Sequence, residues 1–361
     1  MRPSPERRLV ILAEGNFGPH AGKTAMGVIR YGRDTVVAVI DSTKAGENVR
    51  SWLRDEPRFD IPIVGSLEET LAWAERPHAL LIGIAPTGGK LPPDWRRAIL
   101  AAIRAGLDIL SGLHTMLGDD PELAEAAKRA GVRIVDYRRT PEREETARGR
   151  IPRPGTRTIL TVGTDCAIGK MSVALELRAA ANAAGLRGVF VPTGQTGMMI
   201  EGWGVAVDRV ISDFLNGTCE WLVEEAERLG DWIFIEGQGS IDHPAYSPVT
   251  LGLIHGSTPD AMVLVHKPGL EIHDFDHRPE MRYPLMPLPE AIEMHERIAG
   301  LVKPSKVVGI ALNTSLHPDD ADARRLIAEA EALTGLPADD PVRFGGDRLF
   351  AAIRPLVEAL P

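Results

Sequence analysis

Short apolar runs alternate with helix-period segments along residues 1–140. Residues 9–13 (LVILA), 35–40 (TVVAVI), 61–64, 79–84 (ALLIGI), 108–110 and 132–135 read as buried strands. Continuous aliphatic runs of this length, without polar alternation, suit strands covered on both faces. Between them, SLEETLAWAE and DDPELAEAAKRAG carry helical spacing, and the second stops at Gly131, a good helix terminator. Alternation of this kind predicts a parallel, doubly wound sheet.

The pattern breaks at YRRTPEREETARGRIPRPGT, residues 137–156, which is charged, rich in Pro and Gly, and without apolar period. This places a linker at 141–156, between a domain at 1–140 and another at 157–361. The plain reading is a solvated connector, although its arginines could line an anionic site. A second α/β series then begins, with strands expected at 159–162, 188–191, 232–236, 261–266 and 307–313. Residues 267–288 (KPGLEIHDFDHRPEMRYPLMPL) hold four prolines and no period. They read as a long loop, and loops of that length are disproportionately functional.

The segment TILTVGTDCAIGKMSVALELRAAANAAG, residues 158–185, joins an apolar strand to a helix through a glycine-bounded turn. Main-chain N–H groups in such a turn point into one concavity and favour phosphate, and Lys170 adds a full charge. The usual spacing is G-x-x-x-x-G-K-[ST]. Gly169 and Lys170 fit it; Gly163 lies one residue early, with Thr164 in its slot, and Met171 stands where the magnesium-holding hydroxyl belongs. Ser172 follows, but one residue rotates a helical side chain by roughly 100°, so it does not substitute. A magnesium-dependent NTPase would need other oxygens, from Asp165, Asp213 or Glu236. The expected class is therefore α/β with two doubly wound parallel-sheet domains, the first Rossmann-like and the second P-loop NTPase-like.

Composition narrows the partners. At 361 residues with a net charge of −9, the chain suits about two domains and lacks the basic excess that nucleic acid requires. Its opening, MRPSPERRLVILAEG, has no apolar run long enough for a signal peptide, and no segment reaches the ~18 apolar residues of a membrane helix. Cys166 and Cys219 are the only cysteines. A reduced, cytoplasmic protein with a small-molecule substrate and no membrane partner is expected. Enzymes of this architecture are commonly oligomeric, so a homo-oligomer is expected too.

Other candidates follow strand ends, where open parallel sheets collect ligands. VPTGQTGMMIEGWG places Thr193, Gln195 and Thr196 in a glycine-rich loop. WIFIEGQGSIDHPAYSPVT ends a strand at Glu236, with Gln238, His243 and Ser247 beyond it. Glu236 can hold a metal, orient an amine or accept a proton; His266 and Lys267 end the next strand. His273, Asp274, Asp276 and His277 crowd together in IHDFDHR, but no further motif completes a standard ligand set, so no metal is assigned. In the first domain, Gly22-Lys23-Thr24 imitates a phosphate turn with its partner glycine, Gly18, too near. Asn16 and Asp41 sit at strand ends, as substrate contacts or as parts of a structural domain closing over the second. No G-x-G-x-x-G is present, which argues against NAD.

Together VGTDCAIGKMSVALEL, VPTGQTGMMI, FIEGQGSIDHPAYSPVTLGLIHG, DAMVLVHKPG and AEGNFG…KTAMGVIRYG…VVAVIDSTKAG resemble a bacterial and archaeal family long catalogued as a domain of unknown function. Its members are assigned as D-glutamate N-acetyltransferases, and the resemblance spans nearly the whole chain. The second domain is also similar to the dethiobiotin-synthetase branch of P-loop proteins, through GTD…GK, the EG-x-G strand end and VVGIALNT. The resemblance implies acetyl transfer from acetyl-CoA to D-glutamate in a D-glutamate breakdown route. Its phosphate loop matches Gly163, Thr164, Asp165, Gly169, Lys170 and Ser172. Amine attack on a thioester calls for a base and oxyanion donors. Glu236 or His243 is the expected base, Gln195 or Gln238 the donor, and Lys170 with the loop amides the phosphate holder. Thr193, Gln195, Thr196, Asn16 and Asp41 are the expected substrate contacts. The alternatives are an ATP- and magnesium-dependent enzyme that activates a carboxyl group, as dethiobiotin synthetase does, and a nucleotide sensor without turnover.

Overall fold

A computed structural model describes residues 7–18, 22–53, 57–84, 91–275 and 280–360. The chain divides into two compact units: residues 1–141 with 195–209, and residues 142–194 with 210–361. Among the described residues, no helix is long and apolar enough to cross a membrane.

The first unit is built on six parallel strands: β1 (Arg8–Leu12), β2 (Thr35–Ile40), β3 (Ile63–Val64), β4 (Ala79–Ile82), β5 (Asp108–Ser111) and β6 (Ile134–Asp136). Their order, β3-β2-β1-β4-β5-β6, is the doubly wound arrangement of dinucleotide folds. β4 is buried at every position, as its unbroken ALLI requires. Helices α1 (Lys23–Tyr31), α2 (Leu67–Leu71), α3 (Trp95–Arg104) and α4 (Pro121–Ala130) connect the strands. α4 is capped as its sequence dictates: Asp120 accepts from the Glu122 and Leu123 amides, and Gly131 turns left-handed at φ 69°. α2 is shorter than its charged, alanine-bearing sequence suggests. It ends at Leu71, because only Leu67 and Thr70 bury a face.

The second unit carries β7 (Arg157–Gly163), β8 (Gly188–Val191), β9 (Trp232–Ile235), β10 (Ala261–His266), β11 (Lys306–Leu312) and β12 (Ala338–Asp339). They form a second parallel sheet in the order β12-β11-β10-β7-β9-β8. β7 is thus central, between β9 and β10, and the chain reverses direction of winding there. The loops leaving these three strands meet at one topological switch point, where α/β sheets hold their ligands. Helix α5 (Lys170–Ala183) follows β7 and packs Val173, Ala174, Leu177 and Ala181 inward.

By their contacts, residues 195–209 group with the first unit. There VPTGQTGMMIEG is not merely a glycine-rich loop, because residues Gln195–Glu201 form a helix, α6, buried along most of its length. The largely exposed segment at 141–156 groups, from residue 142 onward, with the second unit. Its amides feed buried carboxylates on α7 (Ser212–Glu227). Arg148 and Arg150 donate main-chain N–H groups to Glu220 at 2.9 and 2.6 Å, and Arg153 donates to Glu227 at 2.6 Å. Buried carboxylates need donors, and an irregular strap with unused amides supplies them. Two further helices border the site, α8 (Ser247–Ser257) and α9 (Leu288–Ala299). Between β10 and α9 the segment is irregular, as expected, with one bridge between Ile272 and Pro284. Asp276 and His277 lie outside the described residues.

Candidate phosphate-loop site

The loop from Gly163 to Gly169 closes on α5 through backbone that side-chain-bearing residues resist. Gly169, the N-cap of α5, has φ 110°, a conformation only glycine adopts without strain. Ala167 is held at φ 54°, an uncommon left-handed alanine. At its base, Thr161 Oγ1 accepts from the Gly237 amide at 3.0 Å. Asn313, just past β11, donates to the Ile168 carbonyl at 2.8 Å. The strand that feeds the loop is thereby tied to the end of β9, and the loop itself to the end of β11.

Lys170 is buried, with 5% of its surface exposed, and its Nζ donates to the Asp165 carbonyl at 2.6 Å. The side chain runs between two glycines that leave it room. A Cβ on Gly163 would stand 3.1 Å from Lys170 Nζ, and one on Gly237 would stand 3.2 Å from its Cδ and 1.6 Å from the Thr161 carbonyl. The ammonium therefore lies on the inner side of the loop, where an anion on the α5 N-terminus would meet it. Met171 and Ser172 follow in the first turn of α5, both half-buried.

Thr164 and Asp165 take part in the walls. Thr164 Oγ1 bonds His266 Nδ1 at 2.9 Å, and burial pushes the His266 imidazole below its ordinary value. The Asp165 carboxylate is fully buried. It accepts from the Asp274 amide and from His273 Nδ1, each at 2.9 Å. The other ring nitrogen of His273, Nε2, faces Asp242 at 3.2 Å. Burial works against a charged His273, but hydrogen bonds to Asp165 and Asp242 outweigh it and lift the group to about 9. Asp242 is held below the ordinary carboxylate range; burial opposes this, and His273 and Ser240 win. Ser240 Oγ donates to Asp242 at 2.5 Å and lies 3.1 Å from the Gly163 carbonyl. A chain Gly163–Ser240–Asp242–His273–Asp165 thus closes back on the phosphate loop.

Glu236, the residue after β9, is 6% exposed, and its carboxylate accepts from the Thr193 and Gly194 amides at 2.8 and 3.0 Å. Thr193 Oγ1 donates back to the Glu236 carbonyl at 2.8 Å, and Gln238 Nε2 donates to the Thr193 carbonyl at 2.6 Å. The structure accordingly brings together Gly163, Thr164, Asp165, Gly169, Lys170, Glu236, Gln238 and Thr193 around the ends of β7, β8 and β9. His243 is fully buried behind them. Its Nδ1 accepts from the Ala245 amide at 3.1 Å, and its ring packs 4.5 Å from Phe275 and 4.9 Å from His273. That placement sets its ring against His273.

The remaining candidates lie in the first unit. Gln195 Nε2 donates to Thr24 at 3.0 Å and to Thr196 at 2.9 Å, and the two threonine hydroxyls are 3.0 Å apart. Asp41 is a loop staple. It accepts from the Gly15, Phe17 and Thr43 amides and from Thr43 Oγ1, and pairs with Lys44 at 3.2 Å. Burial opposes its charged form, yet these donors hold its carboxyl below the ordinary range. Asn16 is exposed and bonded to the Glu14 carbonyl.

Asp165, His243 and His273 also offer ligand atoms within 4.8 Å of one another, compact enough for a metal ion. Both nitrogens of His273 already face carboxylates, and His243 Nδ1 already accepts an amide. Sequence reasoning missed Ser240 and Asp242, and saw His273 only as part of a metal-like run.

These features define a class: an α/β protein pairing a Rossmann-type unit with a P-loop unit whose glycine-lysine turn occupies the switch point. The chain belongs to the DUF1611 family. Residues 42–140 match its Rossmann-like domain (DUF1611_N), and residues 145–350 match its P-loop domain (DUF1611_C), both described as domains of unknown function. A relative from Tritonibacter scottomollicae, named D-glutamate N-acetyltransferase, is 37% identical over 326 residues, covering 86% of this chain and 94% of the relative. Another of that name, from a Pseudoalteromonas species, is 37% identical over 272 residues, 75% of this chain and 80% of the relative. The crystal structure of a DUF1611 family protein from Anabaena variabilis matches with TM-score 0.88 and 41% identity. It covers 97% of this chain and 100% of that one.

Proposed function

We propose that the protein is an N-acetyltransferase that moves an acetyl group from acetyl-CoA to the amine of D-glutamate. Two relatives bearing that activity in their names align over most of the chain. The observation that carries the donor side is the inward-facing, buried Lys170 at the N-terminus of α5, seated between Gly163 and Gly237. A diphosphate group suits that position, held by loop amides and one ammonium. Met171 leaves no hydroxyl at the usual magnesium position, and thioester transfer needs no metal.

The reaction requires the D-glutamate ammonium to lose a proton. The free amine attacks the thioester carbonyl, forming a C–N bond. The tetrahedral intermediate loses a second proton from its nitrogen and expels the CoA sulfur, which leaves as thiolate and takes up that proton, while the first proton passes from its acceptor to solvent. In this reading Glu236 receives the amine proton, since it is the carboxylate at the end of β9 beside Gly237 and the Lys170 side chain. Gln238, tied to Thr193, is the side-chain donor nearest that carboxylate's own network.

The test uses the purified full chain, acetyl-CoA and a panel of D- and L-amino acids, following free-thiol release. Release with D-glutamate and not L-glutamate supports the reading. No release with any amine, or ADP formation from ATP and magnesium with a carboxylate substrate, overturns it.

A further inference from the structure

A phosphate loop with a carboxylate inside it presents an electrostatic problem. Asp165 is the third residue of the loop, its side chain is fully buried, and like charges at close range in a dry site repel strongly. One cation, Lys170, reaches the inside of the loop, and it is bonded to the carbonyl of that same aspartate. Asp165 and Asp242, with Glu236 nearby, stand against it. Among the described residues, His273 bridges Asp165 and Asp242 at 2.9 and 3.2 Å and brings a further cation to the cluster.

We propose that His273 is a positioning residue that neutralises Asp165 and so makes the loop able to accept the phosphates of the acyl donor. The inference rests on the reading that Lys170 and its loop hold the donor. With His273 charged, Asp165, Asp242, Glu236, His273 and Lys170 carry one net negative charge, and the imidazolium offsets the carboxylate that lies inside the loop beside Lys170. With a neutral residue in its place, the same positions carry two net negative charges and an incoming anion is repelled more strongly. The neighbouring imidazoles do not replace it. His266, on β10, and His295, on α9, are both shifted by burial toward the neutral form. His243 accepts an amide proton at Nδ1. The bridge also has a mechanical side: Asp165 lies on the loop after β7, Asp242 after β9, and His273 after β10. One imidazolium therefore fixes three loops by contacts more than one hundred residues apart in the case of Asp165.

The experiment measures CoA binding by calorimetry to the wild type and to Lys170→Ala, His273→Gln, Asp165→Asn and the double variant Asp165→Asn/His273→Gln. His273→Gln is expected to weaken CoA on the order of tenfold or more, and the double variant to recover most of that loss, because charge balance returns. A merely structural role for His273 would leave the double variant as weak as the single one. If His273→Gln does not fold, Asp165→Asn carries the test, with affinity retained or raised expected. Wild-type binding lost in Lys170→Ala but unchanged in His273→Gln, an unrescued double variant, or a tenfold loss in Asp165→Asn would overturn the counter-charge. No CoA binding to the wild type would instead overturn the donor reading beneath it, and the proposal with it.

Discussion

Lys170 folds back so that its Nζ donates to the main-chain carbonyl of Asp165 at 2.6 Å. The lysine thus satisfies its own loop, and an arriving phosphate must compete with that carbonyl for the ammonium. Lys170→Ala removes the charge and leaves the carbonyl. The acyl-donor KM should rise on the order of tenfold or more, with the KM for the amine acceptor changed far less. Initial-rate kinetics with each substrate varied separately check this.

Gly237 has no space for a side chain. Its Cβ would meet the Thr161 carbonyl at 1.6 Å and press on the Lys170 stem. Gly237→Ala is expected to lose about 3 kcal/mol of stability or more, since backbone rather than a flexible side chain must move. Urea unfolding followed by far-UV circular dichroism measures it; a wild-type midpoint would refute the close packing.

His273 makes stability depend on pH in a defined window. Folding raises its imidazole from 6.5 to about 9, against burial and because of Asp165 and Asp242. The bridge's contribution is fully present below pH 6.5 and is lost as pH rises through 9. Its size is on the order of 1–3 kcal/mol. Denaturant unfolding at pH 6 and pH 9.5 should show the wild type losing more stability across this range than His273→Gln does. Equal losses would remove the bridge.

Glu236 is the carboxylate assigned to proton removal. Glu236→Gln keeps an oxygen for the Thr193 and Gly194 amides and takes away the base. Turnover should fall roughly 10²–10⁴-fold while the unfolding midpoint moves little. Unchanged turnover would transfer the role elsewhere.

Met171 predicts indifference to magnesium. Thiol release should be the same in chelator and in excess magnesium, whereas a metal-dependent phosphoryl transfer would stop in chelator. Rates measured in the two buffers decide between them.

The fold was legible because its signals are local. Runs such as ALLIGI and TVVAVI bury both faces in parallel sheets, and the Gly169-Lys170 turn follows a strand and opens a helix, as its spacing demands. Much of the site was not local. Asp165 and His273 meet across 108 positions, and Ser240 and Asp242 sit in an irregular loop with no periodic pattern. Nothing in IHDFDHR announces that both ring nitrogens of His273 face carboxylates from distant loops. The grouping of residues 195–209 with the first unit also depends on tertiary contacts, which a run of glycine, glutamine and threonine does not announce.

The central claim is that the turn ending at Lys170 holds the acyl donor's phosphates through amides and one ammonium, without a divalent ion. A crystal structure with bound CoA tests it most directly. The account predicts a phosphate within hydrogen-bonding distance of the amides of the 163–170 loop, with Lys170 Nζ turned from the Asp165 carbonyl onto the phosphate oxygens. CoA bound elsewhere, with that turn empty and Lys170 still on Asp165, would contradict it.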